Sequence, residues 1–218
     1  MSIADMAKHV PAVPPEPVYT YYFWHTQFNS KGDKIYSILR CSLPDDFGGT
    51  NPTVFTYNTD GSDIRFTTPM FPVWGESGGH TNWHPNGKDI IRHLTMQDGK
   101  ERFTLNRWDG SVFKILSMDI LATGHQSIEP EGRYVITDRY DKIHGKQTVS
   151  LRLIDVETDK EVIACTLPTL PRPRGILPHS FRLDGHPAWS RDYKKVSIQA
   201  ATEGKRQLYV VDLSKLMA

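Results

Sequence analysis

The chain alternates between short apolar runs of strand length and polar turns rich in Gly, Asn, Asp and Ser. Four turns, NSKGD, PNGK, PEGR and SRDY, each lead into an apolar run, namely KIYSILRC from Lys34, DIIRHLTM from Asp89, RYVITDRY from Arg133 and KVSIQAA from Lys195. Another strand-like run follows each of these. No stretch keeps a helical period over roughly ten residues. Because such turns between β-rich runs are typical of hairpins, the pattern predicts an all-β protein.

Each of the four turns also follows a short run that opens on a histidine, at positions 25, 80, 125 and 186. When the four copies are aligned without gaps, the fourth position is large and apolar, the eighth is glycine in three copies, and the eleventh is Ile or Val. These positions are Phe28, Trp83, Ile128 and Trp189; Gly32, Gly87, Gly132 and then Tyr193; and Ile35, Ile90, Val135 and Val196. The shared pattern identifies a repeat.

The intervals between the histidines are 55, 45 and 61 residues. Periods of this order with several strands each are typical of propeller blades. The repeat therefore predicts a β-propeller built of about four four-stranded blades, spanning about 25–79, 80–124, 125–185 and 186–218. The Pro-rich residues 1–17 are expected to form a disordered or extended lead-in.

Two insertions run into the following histidine, so we expect them on the same face as the histidines. They are the aromatic, Gly/Pro-rich 67–79 and the basic, Pro-rich 167–185. Loops on one face of a repeat fold commonly form the binding site. The second insertion carries His179 and three arginines that could hold an anionic substrate, or could simply be solvated: Arg172, Arg174 and Arg182. In the aromatic set, Trp74 and Trp83 could stack on a sugar ring or belong to the blade core.

Composition narrows the classes of partner. The net charge is +1, and 38% of the residues are hydrophobic and 23% charged, so neither nucleic acid nor a membrane is an expected partner. The first residues contain no apolar segment typical of a secretion signal, which places the chain as written in the cytoplasm. Cys41 and Cys165 form no CxxC motif and are expected as free or buried thiols, with a disulfide as the alternative.

The recurring histidines are the main candidate chemistry. Equivalent positions at the starts of innermost strands converge on a propeller axis, where neutral imidazoles could bind a divalent cation and one could act as a base. The alternative is that each histidine only hydrogen-bonds the neighbouring blade. Asp184 is an additional candidate ligand, or a turn residue that caps its own backbone. His84 and His144 lie in turns and are expected to be solvated. GxSxG, P-loop, GxGxxG and HExxH motifs are absent from the sequence.

Three stretches resemble the TolB-type, WD40-like propeller repeats of oligogalacturonate lyases. They are GGHTNWHPNG, GHQSIEPEGRYVITDRYD and DGHPAWSRDYKKVSIQAATEGKRQLYVVDLS, and the resemblance extends from about Trp24 to Ser214. It implies part of a seven-bladed, manganese-dependent fold that cleaves short pectin fragments by β-elimination. It also implies that the blades preceding these four are missing, or that the chain closes with fewer blades or self-associates. If N-terminal blades are missing, a periplasmic location is equally compatible.

The resemblance gives roles to particular residues. His80 corresponds to the catalytic base, and His125 and His186 correspond to metal ligands. Among the positions that correspond to the other ligands, only Asp184 could coordinate a metal. Arg65 is a candidate for the family's catalytic arginine. The resemblance gives no role to His25, which we expect, with Gln27, as a supporting residue behind the site. The implied function is a metal-dependent lyase acting on uronic acid oligosaccharides; the alternative is a non-catalytic propeller that binds sugar or protein partners.

Overall fold

A computed structural model of the chain describes residues 2–3, 20–42, 50–67, 78–170 and 183–217. These residues form fifteen strands in four antiparallel sheets, so the all-β prediction is confirmed. The chain divides into two compact units, Met1–Leu116 and Ser117–Ala218. No helix among the described residues is long and apolar enough to cross a membrane. The lead-in beyond Ile3 lies outside the described residues.

The first unit contains two four-stranded sheets. Sheet A pairs its strands in chain order, as β1 (Thr20–Phe28), β2 (Lys34–Ser42), β3 (Thr50–Asn58) and β4 (Arg65–Phe66). Sheet B does the same, with β5 (Gly78–Trp83), β6 (Asp89–Thr95), β7 (Glu101–Arg107) and β8 (Phe113–Ile115).

Alternating side chains of β2 bury both faces of sheet A. Tyr36 and Ile38 pack with Trp83 and Ile90 of sheet B, whereas Leu39 joins a second apolar cluster on the opposite face. The indole of Trp83 is buried there and its Nε1 donates to the Gln27 carbonyl at 3.1 Å. Trp83 is therefore a core residue and not a sugar-stacking surface. Burying such side chains stabilises the fold by about 1.5–3 kcal/mol each.

The second unit contains sheets C and D. Sheet C has the order β12-β11-β10-β9, with β9 (Ser127–Ile128), β10 (Tyr134–Ile143), β11 (Lys146–Asp155) and β12 (Lys160–Pro168). Sheet D has three strands among the described residues, β13 (Ala188–Trp189), β14 (Lys195–Ala200) and β15 (Gln207–Asp212), where four were predicted. The two sheets share one apolar core that includes Ile136, Leu151, Val196 and Ile198. Cys165 of β12 is a free thiol.

One turn geometry explains the eighth position of the repeat. In each copy the N–H of that residue donates to the carbonyl three residues earlier, and its φ is positive: 72° at Gly32, 69° at Gly87, 80° at Gly132 and 55° at Tyr193. Glycine adopts this left-handed conformation without a steric penalty. Tyr193 takes the same conformation at an expected cost of about 1 kcal/mol.

Candidate metal centre

The repeated histidines lie where the strand geometry is interrupted. The backbone φ is 50° at His25, 29° at His80 and 42° at His186, whereas the left-handed residue next to His125 is Gly124, with φ 76°. In both sheets of the first unit, the register between the first two strands shifts at the histidine. Side chains at such bulges leave the normal alternation of a strand. Strained non-glycine residues also concentrate at functional sites, so these histidines are candidates for function.

The second unit brings three of the candidate ligands together. One ligand atom from each of His125, Asp184 and His186 lies within 4.8 Å of the others. The imidazole rings of the two histidines are 3.7 Å apart between centroids, at an angle of 37°. His125 is buried, Asp184 is half-buried and His186 is exposed, so the cluster has one side open to solvent. Two imidazole nitrogens and a carboxylate oxygen are a donor set that suits zinc, manganese and related divalent cations.

A buried carboxylate that the sequence analysis did not single out lies directly behind this cluster. Asp138 Oδ1 accepts from the His125 backbone N–H at 2.7 Å, and the His125 Nδ1 atom lies 2.9 Å from Oδ2. The Tyr140 hydroxyl donates to Oδ2 at 2.7 Å, and the His186 N–H donates to it at 3.2 Å. Burial would raise the pKa of Asp138, but the hydrogen bonds and charge of His125 and the bond from Tyr140 hold it well below its usual range. Asp138 is therefore an ionised acceptor.

The glycines before two of the histidines make room for this carboxylate. A Cβ on Gly124 would lie 1.9 Å from the Asp138 carbonyl oxygen, and a Cβ on Gly185 would lie 2.9 Å from Asp138 Oδ2. The N–H of Gly185 donates to the Tyr140 hydroxyl oxygen at 2.5 Å. The glycines at positions 124 and 185 thus have a steric reason, which is the close approach of Asp138.

His80, the candidate base, lies in the first unit beside another histidine. Its ring centroid is 5.8 Å from that of His93, which is buried on β6. A Cβ on Gly79 would lie 2.4 Å from His93 Nε2, so the glycine before His80 also makes room for a side chain. His93 occupies the same place in sheet B as Asp138 does in sheet C.

The other predicted site residues of the first unit have different surroundings. His25 is exposed and its ring contacts Trp24 edge-on, with centroids 5.0 Å apart. Gln27 Oε1 accepts from the Tyr36 hydroxyl at 2.8 Å. Arg65 is exposed and its Nε donates to Asp63 at 2.7 Å. None of these contacts is with a candidate metal ligand.

The two turn histidines that were expected to be solvated differ in their exposure. His84 is buried rather than solvated, because its Nδ1 accepts the Asn86 N–H at 3.0 Å and the ring becomes part of the turn. His144 is exposed, as the sequence predicts. The candidate substrate-binding residues lie outside the described residues, together with His179: Trp74, Arg172, Arg174 and Arg182.

The sequence does carry a signal for Asp138. It stands thirteen residues after His125, and the equivalent positions after the other histidines hold Ile38, His93 and Gln199. Three of the four copies therefore carry a side chain at this register that can hydrogen-bond or bind a metal. Comparing the four copies position by position beyond the eleventh residue would have identified it.

Solved structures of low sequence identity share the arrangement of strands. An oligogalacturonate lyase in complex with manganese superposes with a TM-score of 0.64 at 15% identity over 88% of this chain. An oligogalacturonate lyase from Vibrio parahaemolyticus gives 0.63 at 16% identity over 88%, and TolB from Acinetobacter baumannii gives 0.54 at 12% over 97%. The fold is that of a β-propeller.

These likenesses extend to the fold alone. The chain spans about half the length of the two lyases, 48% and 49%, and 58% of the TolB chain. No protein-family model matches the sequence, and no curated protein sequence is significantly similar to it.

Proposed function

We propose that this propeller binds a divalent cation, manganese in the first instance, and cleaves uronic acid oligosaccharides by β-elimination. The observation that carries the proposal is the cluster of His125, Asp184 and His186, whose three candidate ligand atoms lie within 4.8 Å of one another. The manganese-bound lyase of the same fold supports the choice of cation and of reaction class. The resemblance of individual blade motifs to oligogalacturonate lyases points to the same reaction class.

In this proposal, each residue has a distinct task. A divalent cation held by His125, Asp184 and His186 would supply the positive charge that neutralises a substrate carboxylate and stabilises the charge developing next to it. His80 takes the C5 proton, which is weakly acidic because the carboxylate is attached to the same carbon. The electron pair of the C5–H bond forms the C4–C5 double bond, and the 4-oxygen leaves and takes up a proton. Arginines of the second insertion bind neighbouring carboxylates.

The test is a direct assay with oligogalacturonate and Mn²⁺. Cleavage creates an unsaturated uronate, which is followed by its ultraviolet absorbance. We expect His80→Ala to lower the rate about 100-fold or more, because general-base catalysis contributes at least that factor. Arg65 is exposed and paired with Asp63. Arg65→Ala tests whether it is the catalytic arginine. Absence of product from any uronate oligomer with metal-loaded protein would overturn the lyase proposal.

The second candidate function is a non-catalytic propeller that binds sugar or protein partners, and the likeness to TolB supports it. In that case the histidines serve as hydrogen-bonding groups between blades and no cation binds. Metal analysis of the purified protein distinguishes the two functions. Stoichiometric Mn²⁺ that is lost in His125→Ala supports the metal centre, whereas protein that binds no metal supports the binding module.

A further inference from the structure

We propose that Asp138, assisted by Tyr140, is a positioning residue that assembles the metal centre by fixing two chain segments at once. The inference rests on the metal site of the proposed function and adds the group that builds it. Asp138 lies in the middle of β10, and its partners come from the start of the third repeat and from the segment that leads into β13.

The first contact fixes the ring of His125. Both oxygens of Asp138 accept from other N–H and O–H groups and also lie 2.9 Å (Oδ2) and 3.0 Å (Oδ1) from the His125 Nδ1 atom, so a neutral His125 ring makes this contact with its hydrogen on Nδ1. The lone pair is then on Nε2, which is the atom left to bind a metal. A carboxylate in this position sets both the tautomer and the orientation of a histidine ligand. The His125 backbone N–H, at 2.7 Å from Oδ1, holds the main chain in the same register.

The second contact fixes the segment that carries Asp184 and His186. The N–H of His186 donates to Oδ2 across a sequence separation of 48 residues. The N–H of Gly185 donates to the Tyr140 hydroxyl, which in turn donates to Oδ2. Burial and the negative charge of Asp138 raise the pKa of Tyr140 well above its usual range, so this hydroxyl keeps its proton. Two adjacent peptide N–H groups therefore depend on the Asp138–Tyr140 pair.

The same contacts explain why Asp138 is not itself a ligand. A carboxylate offers about four lone-pair positions. Those of Asp138 face the His125 main chain, the His125 ring, the Tyr140 hydroxyl and the His186 main chain, and the side chain is fully buried. In sheet B the equivalent position is His93, which cannot accept this number of hydrogen bonds. Of the two sheets compared, only sheet C of the second unit therefore has a buried carboxylate that holds two chain segments.

The experiment measures Mn²⁺ affinity by titration calorimetry on the full chain, at a temperature where every protein is folded. The proteins compared are wild type, Asp138→Asn, Tyr140→Phe and the control Asp141→Asn. Asp141 lies on the same strand and accepts from Arg139 at 2.8 Å. We expect Asp138→Asn to weaken Mn²⁺ binding about 10- to 100-fold. Tyr140→Phe should weaken it roughly fivefold, the value of one hydrogen bond. Asp141→Asn should bind as wild type does. Affinities within twofold for all four proteins would overturn the proposal.

A second measurement separates this proposal from the proposed function. Long-range ¹H–¹⁵N spectra of the histidine rings report the tautomer of His125 without any metal. We expect the Nδ1–H form in wild type and its loss in Asp138→Asn, with no change in Asp141→Asn. If wild type binds no Mn²⁺ but shows this tautomer change, the metal centre is refuted, and what stands is that Asp138 sets the orientation of the His125 ring. If His125 carries its proton on Nε2 in wild type, the positioning role is refuted whatever the metal result.

Discussion

Position 124 is under two constraints that only a glycine satisfies. Its φ of 76° is in the left-handed region, and a Cβ there would lie 1.9 Å from the Asp138 carbonyl oxygen and 2.3 Å from Oδ1. The first constraint costs a side chain about 1–2 kcal/mol. The second requires the main chain of β10 to shift, because a carbonyl oxygen cannot rotate out of the way. The position therefore links the backbone next to His125 to the carboxylate behind it.

We expect Gly124→Ala to lower the free energy of unfolding by about 3 kcal/mol or more, and to weaken Mn²⁺ binding, because Asp138 has to move. Gly145→Ala is the matched control: its φ is 80°, but a Cβ there would meet nothing within 4 Å. That substitution should cost only about 1 kcal/mol and leave metal binding unchanged. Equal losses for the two variants in urea unfolding would contradict the steric argument.

At the scale of residues, the sequence predicts candidate ligands better than the groups that support them. The histidines stand out because they recur at one phase of a repeat. Asp138 lies within the strand-like run RYVITDRY, where a single carboxylate is ordinarily solvent-exposed. Its burial results from partners that are 13 and 48 residues away, so it depends on tertiary contacts. The left-handed backbone of His25, His80 and His186 could not be predicted from the sequence either, because histidine, although enriched at positive φ, adopts that conformation at only a small minority of positions.

At the scale of elements, an ion pair joins β11 to β12 inside the second unit. Arg152 is buried, and its guanidinium donates to both carboxylate oxygens of Glu161, at 3.0 and 2.6 Å, and to the Leu121 carbonyl at 3.0 Å. Removing one partner of a buried pair leaves the other charge uncompensated, which is more costly than the loss of a surface ion pair. The ion pair to Glu161 thus adds to the backbone pairing of β11 with β12.

We expect Glu161→Gln to cost about 2 kcal/mol at neutral pH, less than for a fully buried pair because Glu161 retains some exposure. The hydrogen bonds from Arg152 lower the pKa of Glu161 in the folded protein. Its contribution is therefore complete above the unfolded pKa of about 4.3 and is lost as the pH falls through the folded pKa. Denaturant unfolding of both proteins as a function of pH should show the difference shrinking below about pH 4. A difference that stays constant down to pH 2 would refute the ion-pair explanation.

Element by element, the strands that follow the tight turns and the further strand after each of them are well predicted, whereas the lengths of the strands before the turns are not. The runs from Lys34, Asp89, Arg133 and Lys195 correspond to β2, β6, β10 and β14, because a turn with a left-handed eighth residue fixes where the next strand begins. The strands that precede those turns vary from nine residues in β1 to two in β9 and β13. Their lengths depend on pairing with the second strand, which local sequence does not specify.

At the scale of the molecule, the candidate chemistry is unevenly distributed. The three clustered ligands and Asp138 all belong to Ser117–Ala218, whereas the candidate base His80 belongs to Met1–Leu116. The periodicity of the sequence predicts the sheets, but it carries no information on this division, because the repeat treats all four copies as equivalent.

Sheet D leaves an apolar surface exposed. In β15, Tyr209 and Val211 pack into the core, while Leu208 and Val210, on the other face, are 67% and 66% exposed. Among the strands that the structure describes, β15 also lies at the edge of this sheet. An edge strand with adjacent exposed aliphatic side chains is prone to associate with other chains.

This exposed apolar surface is expected to cause self-association of the protein as its concentration rises. We expect the weight-average mass of the wild type in sedimentation experiments to rise with concentration, and Leu208→Lys to suppress the rise while leaving Mn²⁺ affinity unchanged. Glu203→Lys, an exposed change of greater charge in the turn between β14 and β15, is the control and should not suppress it. A wild-type mass independent of concentration would show that the face is compatible with a monodisperse solution. If the prediction holds, the highest concentration at which a preparation stays monodisperse is determined by two side chains remote in sequence from every candidate ligand.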